Sequence, residues 1–222
     1  MTAEAISEST AGGDFWDGVR LSMPVVVASA PFAILFGALA VDNGFSVLEA
    51  FLMSALIFGG ASQMVGIELF GQHVAPWLIV LSIFAVNFRH VLYSAGLGRR
   101  IAHWPVVQQA LGFFIMTDPQ YAVAEARAVS GQPVGFAWYL GLGLPVYVFW
   151  VIESGLGAVF GKLIPDTHAL GIDFLLPIYF LGLVLGFRNR PLWLPVVLAS
   201  AVAGVLLAVI LPPHHSGVGE RP

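Results

Sequence analysis

The 222-residue chain contains no cysteine. That excludes disulfides, thiol chemistry and cysteine-ligated zinc. Charge is sparse as well: Asp, Glu, Lys and Arg make up 10% of the residues, where soluble domains average about 25%. The formal net charge of −4 says little, because much of the acid gathers at the start (Glu4, Glu8, Asp14, Asp17). No basic patch points to nucleic acid, and no Gly-x-x-x-x-Gly-Lys loop is present to hold a nucleotide's phosphates. Residues 1–14 lack the basic-then-apolar pattern of a secretory signal and read as a short disordered tail. What fills the chain instead is apolar: 58% hydrophobic residues and a mean hydropathy of +0.87. This is the composition of an integral membrane protein, and the connecting segments are too short for a soluble domain.

The apolar runs predict an all-α, polytopic membrane protein of about seven transmembrane segments, one of them broken or re-entrant. A single transmembrane domain over 15–211 is expected, followed by a tail at 212–222 holding His214 and His215. Residues 15–20 (Phe-Trp-Asp-Gly-Val-Arg) suit the membrane interface. Spans are expected at about 20–41, kinked by Pro24 and Pro31, and at about 47–70, 76–97 and 135–160. Two more follow at about 173–187, after a loop over Lys162–Asp173, and at 192–211. The fourth segment differs. Its apolar part, 106–117, makes about 18 Å of helix against a hydrocarbon core of about 30 Å. Thr117-Asp118-Pro119 then reads as a helix start, with Asp118 as cap and Pro119 in the first position, and a second helix runs to about Ser130. One outcome is a short span followed by a surface helix carrying Glu125 and Arg127. The other is a discontinuous element, where exposed N–H groups at a helix start attract anions.

Leu-Ser-Met-Pro-Val-Val-Val at 21–27 is similar to Leu-Gly-Leu-Pro-Val-Tyr-Val at 142–148, which suggests two three-helix repeats around the broken segment. Gly157/Gly161 and Gly182/Gly186 are small-residue pairs of the kind that let membrane helices pack closely. With seven crossings, Arg20, Arg127, Arg188 and Arg190 fall on one face and Arg99, Arg100, Lys162 and Arg221 on the other. The positive-inside rule then assigns no orientation.

The third span contains the polar stretch Val86-Asn87-Phe88-Arg89-His90-Val91-Leu92-Tyr93. On a helical wheel Arg89, Tyr93, His90, Ser94 and Asn87 fall within about 160°, and Phe88, Leu92 and Val91 take the other side. A charge at the middle of a spanning helix costs about 2.5–3.5 kcal/mol. Either Arg89 lies near a helix end and reaches the headgroups, or this face lines a pathway inside the bundle. In the second span, Gly59, Gly60, Ser62 and Gln63 form a small-residue patch with one carboxamide. It suits helix packing, with Gln63 as an interhelical hydrogen bond, and a substrate site equally. Glu153, two-thirds along the fifth span, suits a titrating carboxylate, an acid partner for Arg89 or an interfacial residue. Neither a metal site nor a cofactor is expected, and no Ser-His, paired Asp or His-Glu-x-x-His arrangement suggests an enzyme.

Four motifs taken together, SAPFAILFGALAVDNGFS (29–46), MSALIFGGASQ (53–63), NFRHVLYSAGL (87–97) and TDPQYAVAEA (117–126), resemble the azaleucine-resistance, AzlC-like family of branched-chain amino acid permeases. Order and spacing agree over about residues 15–211. Pro119 stands where the family usually has a glutamate, and Ala33 where a glycine often follows Pro-Phe. The resemblance implies a multi-pass exporter of branched-chain or similar hydrophobic amino acids in a bacterial inner membrane. It implies coupling to the proton motive force and a small four-helix AzlD-like membrane subunit as partner. For a zwitterionic solute, Arg89 or the N–H groups at the 119 helix start would serve the carboxylate, and Gln63, Asn87 and Asp118 the ammonium. The candidate substrate-binding set is Gly59, Gly60, Ser62, Gln63, Asn87, Arg89, Tyr93 and Asp118. Candidate proton carriers are His90, whose ordinary pKa is about 6.5, Asp118 and Glu153. The alternative from another class is a passive channel, whose flux would not saturate.

Overall fold

The computed structural model describes residues 11–161, 181, 184–185, 188 and 191–210. The expected loop at 162–173, most of the sixth segment at 173–187 and the tail from 211 lie outside the described residues. Two compact units divide the chain, Met1–Asp173 and Phe174–Pro222. All regular structure among the described residues is helical. The first unit contains α1 (Ala11–Asp42), α2 (Val47–Ile57), α3 (Gly60–Gly71), α4 (Pro76–Ile101), α5 (Val106–Phe114), α6 (Asp118–Val129) and α7 (Phe136–Phe160). In the second unit, α8 (Trp193–Ile210) is apolar apart from Ser200, and the Trp193 indole N–H donates to the Val184 carbonyl at 2.7 Å.

Among the described residues three helices, α1, α4 and α7, are long and apolar enough to cross a membrane. Helix α1 starts at Ala11, earlier than the expected residue 20, and takes in Phe15, Trp16 and both prolines. It lies along α7 with backbones in close approach. Gly18 meets the carbonyl of Trp138, Gly141 that of Phe15, Gly37 that of Ser154 and Gly157 that of Ile34, and Gly161 rests on Ala38. A Cβ at any of the first four would run into backbone. The expected packing role of Gly157 and Gly161 is met by α1. Residue numbers rise together along this seam, so α1 and α7 run parallel. The similar heptapeptides at 21–27 and 142–148 lie abreast within it.

The second expected span is corrected by the structure. Residues 47–70 do not form one crossing helix; they break at Phe58-Gly59 into α2 and α3. Each piece measures only about 17 Å. Helix α2 starts on a capping box, with the Ser46 Oγ accepting from the Glu49 N–H and the Glu49 carboxylate accepting from the Ser46 N–H at 2.7 Å. The chain then turns at Phe58-Gly59 and comes back. Phe70 at the end of α3 packs on Phe45 just before α2, ring centroids 4.6 Å apart, and Gly71 abuts Asn43. Start and finish therefore share a face, and α2–α3 is a re-entrant hairpin.

The same construction recurs at α5–α6. Helix α5 leaves from beside Trp104, the chain turns at 115–117, and α6 returns. Glu125 on α6 reaches Arg100 at 3.3 Å, and Phe136, which follows, packs on Trp104 with centroids 5.3 Å apart. This hairpin enters from the opposite face, where α1 and α7 begin and α4 ends. The broken fourth segment is thus a second helical hairpin among the described residues.

Helix α4 crosses between the hairpins. Gly66 of α3 faces Ile83, and Gly96 of α4 faces Tyr121 of α6. Its wheel separates as expected: Phe88, Val91 and Leu92 are exposed, and Asn87, Arg89, His90, Tyr93 and Ser94 are half-buried.

Candidate functional site

Both hairpin tips end near the middle of the unit. On α7, Gly143 touches the second tip at Ile115 and Gln120, and Trp150 touches the first at Gly60. Seven residues separate these contacts, or about 10 Å of helical rise. On α4, the Asn87 carboxamide oxygen lies 3.8 Å from where a Cβ on Gly59 would stand. Arg89 and Tyr93 reach the second tip. The starts of α3 and α6, with the partial positive charge of helix N-termini, are thereby brought to the level of the polar stretch.

At the second tip the cap is Thr117, not Asp118 as expected. Gln120 reaches back so that its Oε1 accepts from the Thr117 N–H at 2.9 Å and from its hydroxyl at 2.8 Å. Thr-x-x-Gln is a capping box, and it frees the Asp118 carboxylate to point at α4. One oxygen of Asp118 accepts from the Tyr93 hydroxyl at 2.9 Å, and the other pairs with an Arg89 guanidinium nitrogen at 3.0 Å. The Arg89 side chain is 23% exposed and that of Asp118 6%. Arg89 lies midway along α4 and so does not serve as a snorkelling end residue. Its acid partner is Asp118 rather than Glu153. The Arg89 Nε is buried with no hydrogen-bond partner among the described residues, which leaves one N–H directed at no acceptor. Tyr93 stacks on Tyr121 with centroids 4.4 Å apart and planes 16° apart, and the His90 ring meets Tyr93 edge-on at 5.8 Å.

The first tip is organised differently. Gln63 is fully buried, and its carboxamide is engaged: Oε1 accepts from the Trp150 indole at 3.1 Å and from the Gly59 N–H at 3.3 Å, while Nε2 donates to the Ser54 hydroxyl at 3.2 Å. The Ser62 hydroxyl donates to the Gly59 carbonyl at 2.8 Å. Tyr147 donates to the Ala55 carbonyl at 2.8 Å and its ring meets Phe58 edge-on. Of the two uses weighed for this patch, these contacts are those of packing: Gln63 ties α2, α3 and α7 together. Gly60 gives the Trp150 ring its space. Glu153 lies one turn beyond Trp150 on α7, half-buried, with one carboxylate oxygen that has no partner among the described residues.

Sequence reasoning missed Thr117, Gln120, Tyr121 and Trp150. The first two were legible, since Thr-x-x-Gln before an apolar run is itself a helix-start signature. The Gly59-Gly60 pair was also a visible break signal, because each glycine inside a helix costs about 1 kcal/mol. Tyr121 and Trp150 carry no local mark.

Among the described residues, three helices long and apolar enough to cross a membrane, two helical hairpins and an ion pair between α4 and the second tip define a polytopic helical membrane protein with a polar centre. The chain belongs to the AzlC family: the family model described as "AzlC protein" matches residues 24–164. It is 32% identical over 201 residues to the inner membrane protein YgaZ of Escherichia coli, covering 87% of this chain and 82% of that one. It is 36% identical over 149 residues to a membrane protein of Archaeoglobus fulgidus, covering 67% and 63%. To the branched-chain amino acid transport protein AzlC of Bacillus subtilis it is 22% identical over 161 residues, covering 72% and 62%. No solved structure matches it.

Proposed function

We propose that this protein is a secondary transporter that exports branched-chain or similar hydrophobic amino acids, driven by the proton motive force. The observation that carries the reading is the Arg89–Asp118 pair, held at 3.0 Å between the middle of α4 and the second hairpin tip. A charged pair in that place is costly and marks a solute or proton pathway. Family membership, and the branched-chain amino acid transport for which the Bacillus relative is named, support the substrate class.

In this reading the amino acid carboxylate takes the open Nε–H of Arg89 and competes with Asp118 for the guanidinium. Protonation of Asp118 releases Arg89 to the substrate, which ties solute movement to proton movement. Tyr93 steadies the carboxylate, Asn87 offers its carbonyl oxygen to the ammonium, and His90 and Glu153 are the further proton carriers. Gly59, Gly60, Ser62 and Gln63 shape the first tip and position it rather than bind. The working unit is this chain as the large subunit beside a small four-helix AzlD-like partner in the bilayer of an inner membrane.

Charge supplies the direction. Arg20, Arg99, Arg100 and Arg127 all belong to the face where α1 begins. Among residues 11–161 the opposite face has Asp42, Glu49 and Glu68 and no lysine or arginine. The two hairpins together re-sort them, and the positive-inside rule then makes the basic face cytoplasmic. The experiment is efflux of labelled leucine, isoleucine, valine and methionine from vesicles holding this chain and its partner. Saturable flux that rises with an imposed proton gradient is expected. Absence of gradient-dependent flux refutes the reading, and flux that does not saturate points instead to a passive pore.

A further inference from the structure

Between α4 and α6, on the face where α1 begins, lies a cavity of about 400 Å³ lined by Gly96, Arg99, Arg100, Tyr121 and Glu125. That volume is within the usual range for small-molecule sites, about 300–1,000 Å³. Its chemistry is two-signed. Arg99 and Arg100 bring two guanidinium groups. Glu125 pairs with Arg100 through one oxygen, at 3.3 Å, and its other oxygen is buried without a hydrogen-bond partner among the described residues. A buried carboxylate oxygen left unpaired is costly unless something donates to it. The inner wall is Tyr121, and Gly96 makes room for its hydroxyl, since a Cβ there would stand 2.7 Å from that oxygen. Behind Tyr121 is Tyr93, stacked on it and bonded to Asp118.

We propose that this cavity is a second, outer binding site for a zwitterionic amino acid, with Arg99 and Arg100 on the α-carboxylate and the Glu125 carboxylate, which lines it, accepting from the α-ammonium. The apolar side chain lies against the Tyr121 ring. The stacked Tyr121–Tyr93 pair is the partition between this site and the Arg89–Asp118 centre. The inference rests on the transport reading for the identity of the ligand. It adds a separate place of binding, about 16 Å of α4 rise from Arg89 to Arg100, at which the solute is loaded from the basic face.

The test is equilibrium binding of labelled leucine to the purified protein with its partner, alongside flux measured with leucine on each side in turn. E125Q and R100Q are expected to weaken leucine binding at the outer site about tenfold or more, as loss of a charge-assisted hydrogen bond does. They should raise the KM for leucine presented at the basic face and leave the opposite side unchanged. Leucine binding is expected to survive in R89Q, where flux is lost, and to disappear in R89Q/E125Q. A purely structural ion pair would be rescued by the charge swap R100E/E125R; here the swap is expected to restore thermal stability and not leucine affinity. Restored affinity in the swap, or unaltered binding and KM in E125Q and R100Q, overturns the proposal. Should E125Q fail to fold, Arg99→Cys in this cysteine-free chain is labelled by a maleimide, and leucine must slow the labelling several-fold. No protection overturns it as well. Failure of the transport reading shows separately, as absence of flux in the unmodified protein.

Discussion

Asp118→Asn tests the central ion pair most directly. The substitution keeps shape and removes one charge, so the Arg89 guanidinium is left without its carboxylate at 3.0 Å. Breaking a buried pair from one side costs about 3–5 kcal/mol. Arg89 is about a quarter exposed and keeps a carboxamide oxygen nearby, which puts the cost near 3 kcal/mol. For a chain of this size that is about 6–12 °C in Tm. The reverse change, Arg89→Gln, should cost less, because a stranded carboxyl can take up a proton and a guanidinium cannot give one up. Arg89→Gln with Asp118→Asn should recover part of the loss, since residues sharing one ion pair are not additive. The assay is thermal unfolding in detergent for the two single variants and the double. A Tm for Asp118→Asn within about 2 °C of the parent, or strict additivity in the double, refutes the argument that this pair is buried and mutually dependent.

Trp150→Phe removes the indole donor from Gln63 Oε1. It should cost about 1–2 kcal/mol, measured as a lower Tm, and Gln63→Leu should cost more than Trp150→Phe, because it also strands the Ser54 hydroxyl and the Gly59 N–H. Gly143→Val places a side chain where Gln120 and Ile115 already stand. Loss of the folded peak in size-exclusion chromatography is expected, and a normal peak with normal Tm would show that the second tip does not seat on α7. Single cysteines at Asp42 and Gln72 should be labelled by an impermeant maleimide from one side of the membrane. Those at His103 and Gln132 should be labelled from the other, cytoplasmic side. Either pair splitting across the membrane would mean that its hairpin is a crossing.

Much of the helical layout was legible because its signals are local. Pro76 at a first helical position, Ser46 with Glu49, and the basic Arg99-Arg100 cluster mark helix ends within three or four residues. The polar stripe on α4 follows from the helical period alone. The twelve-residue limit of the fourth apolar run announced a break there. The break in 47–70 was harder to see because its total length matches a bilayer, so the hydropathic run was satisfied by either a crossing or a hairpin. The Asp118 cap was misplaced by one residue, and that one residue decides whether the carboxylate is spent on its own helix or reaches Arg89.

By itself the sequence determined that this chain lives in a membrane, where α2, α4 and α7 start within a residue or so, and which side of α4 is polar. Those properties are set by neighbours a few residues apart, through hydrogen bonds at helix ends and the transfer energy of apolar side chains. Only the tertiary structure decided that 47–70 turns back, that Arg89 meets Asp118, and that Arg20, Arg99, Arg100 and Arg127 share one face. A hairpin tip is stable in the hydrocarbon layer only when distant residues such as Trp150, Tyr147 and Gly143 satisfy and cover it. The free energy of those contacts is not written in any local stretch.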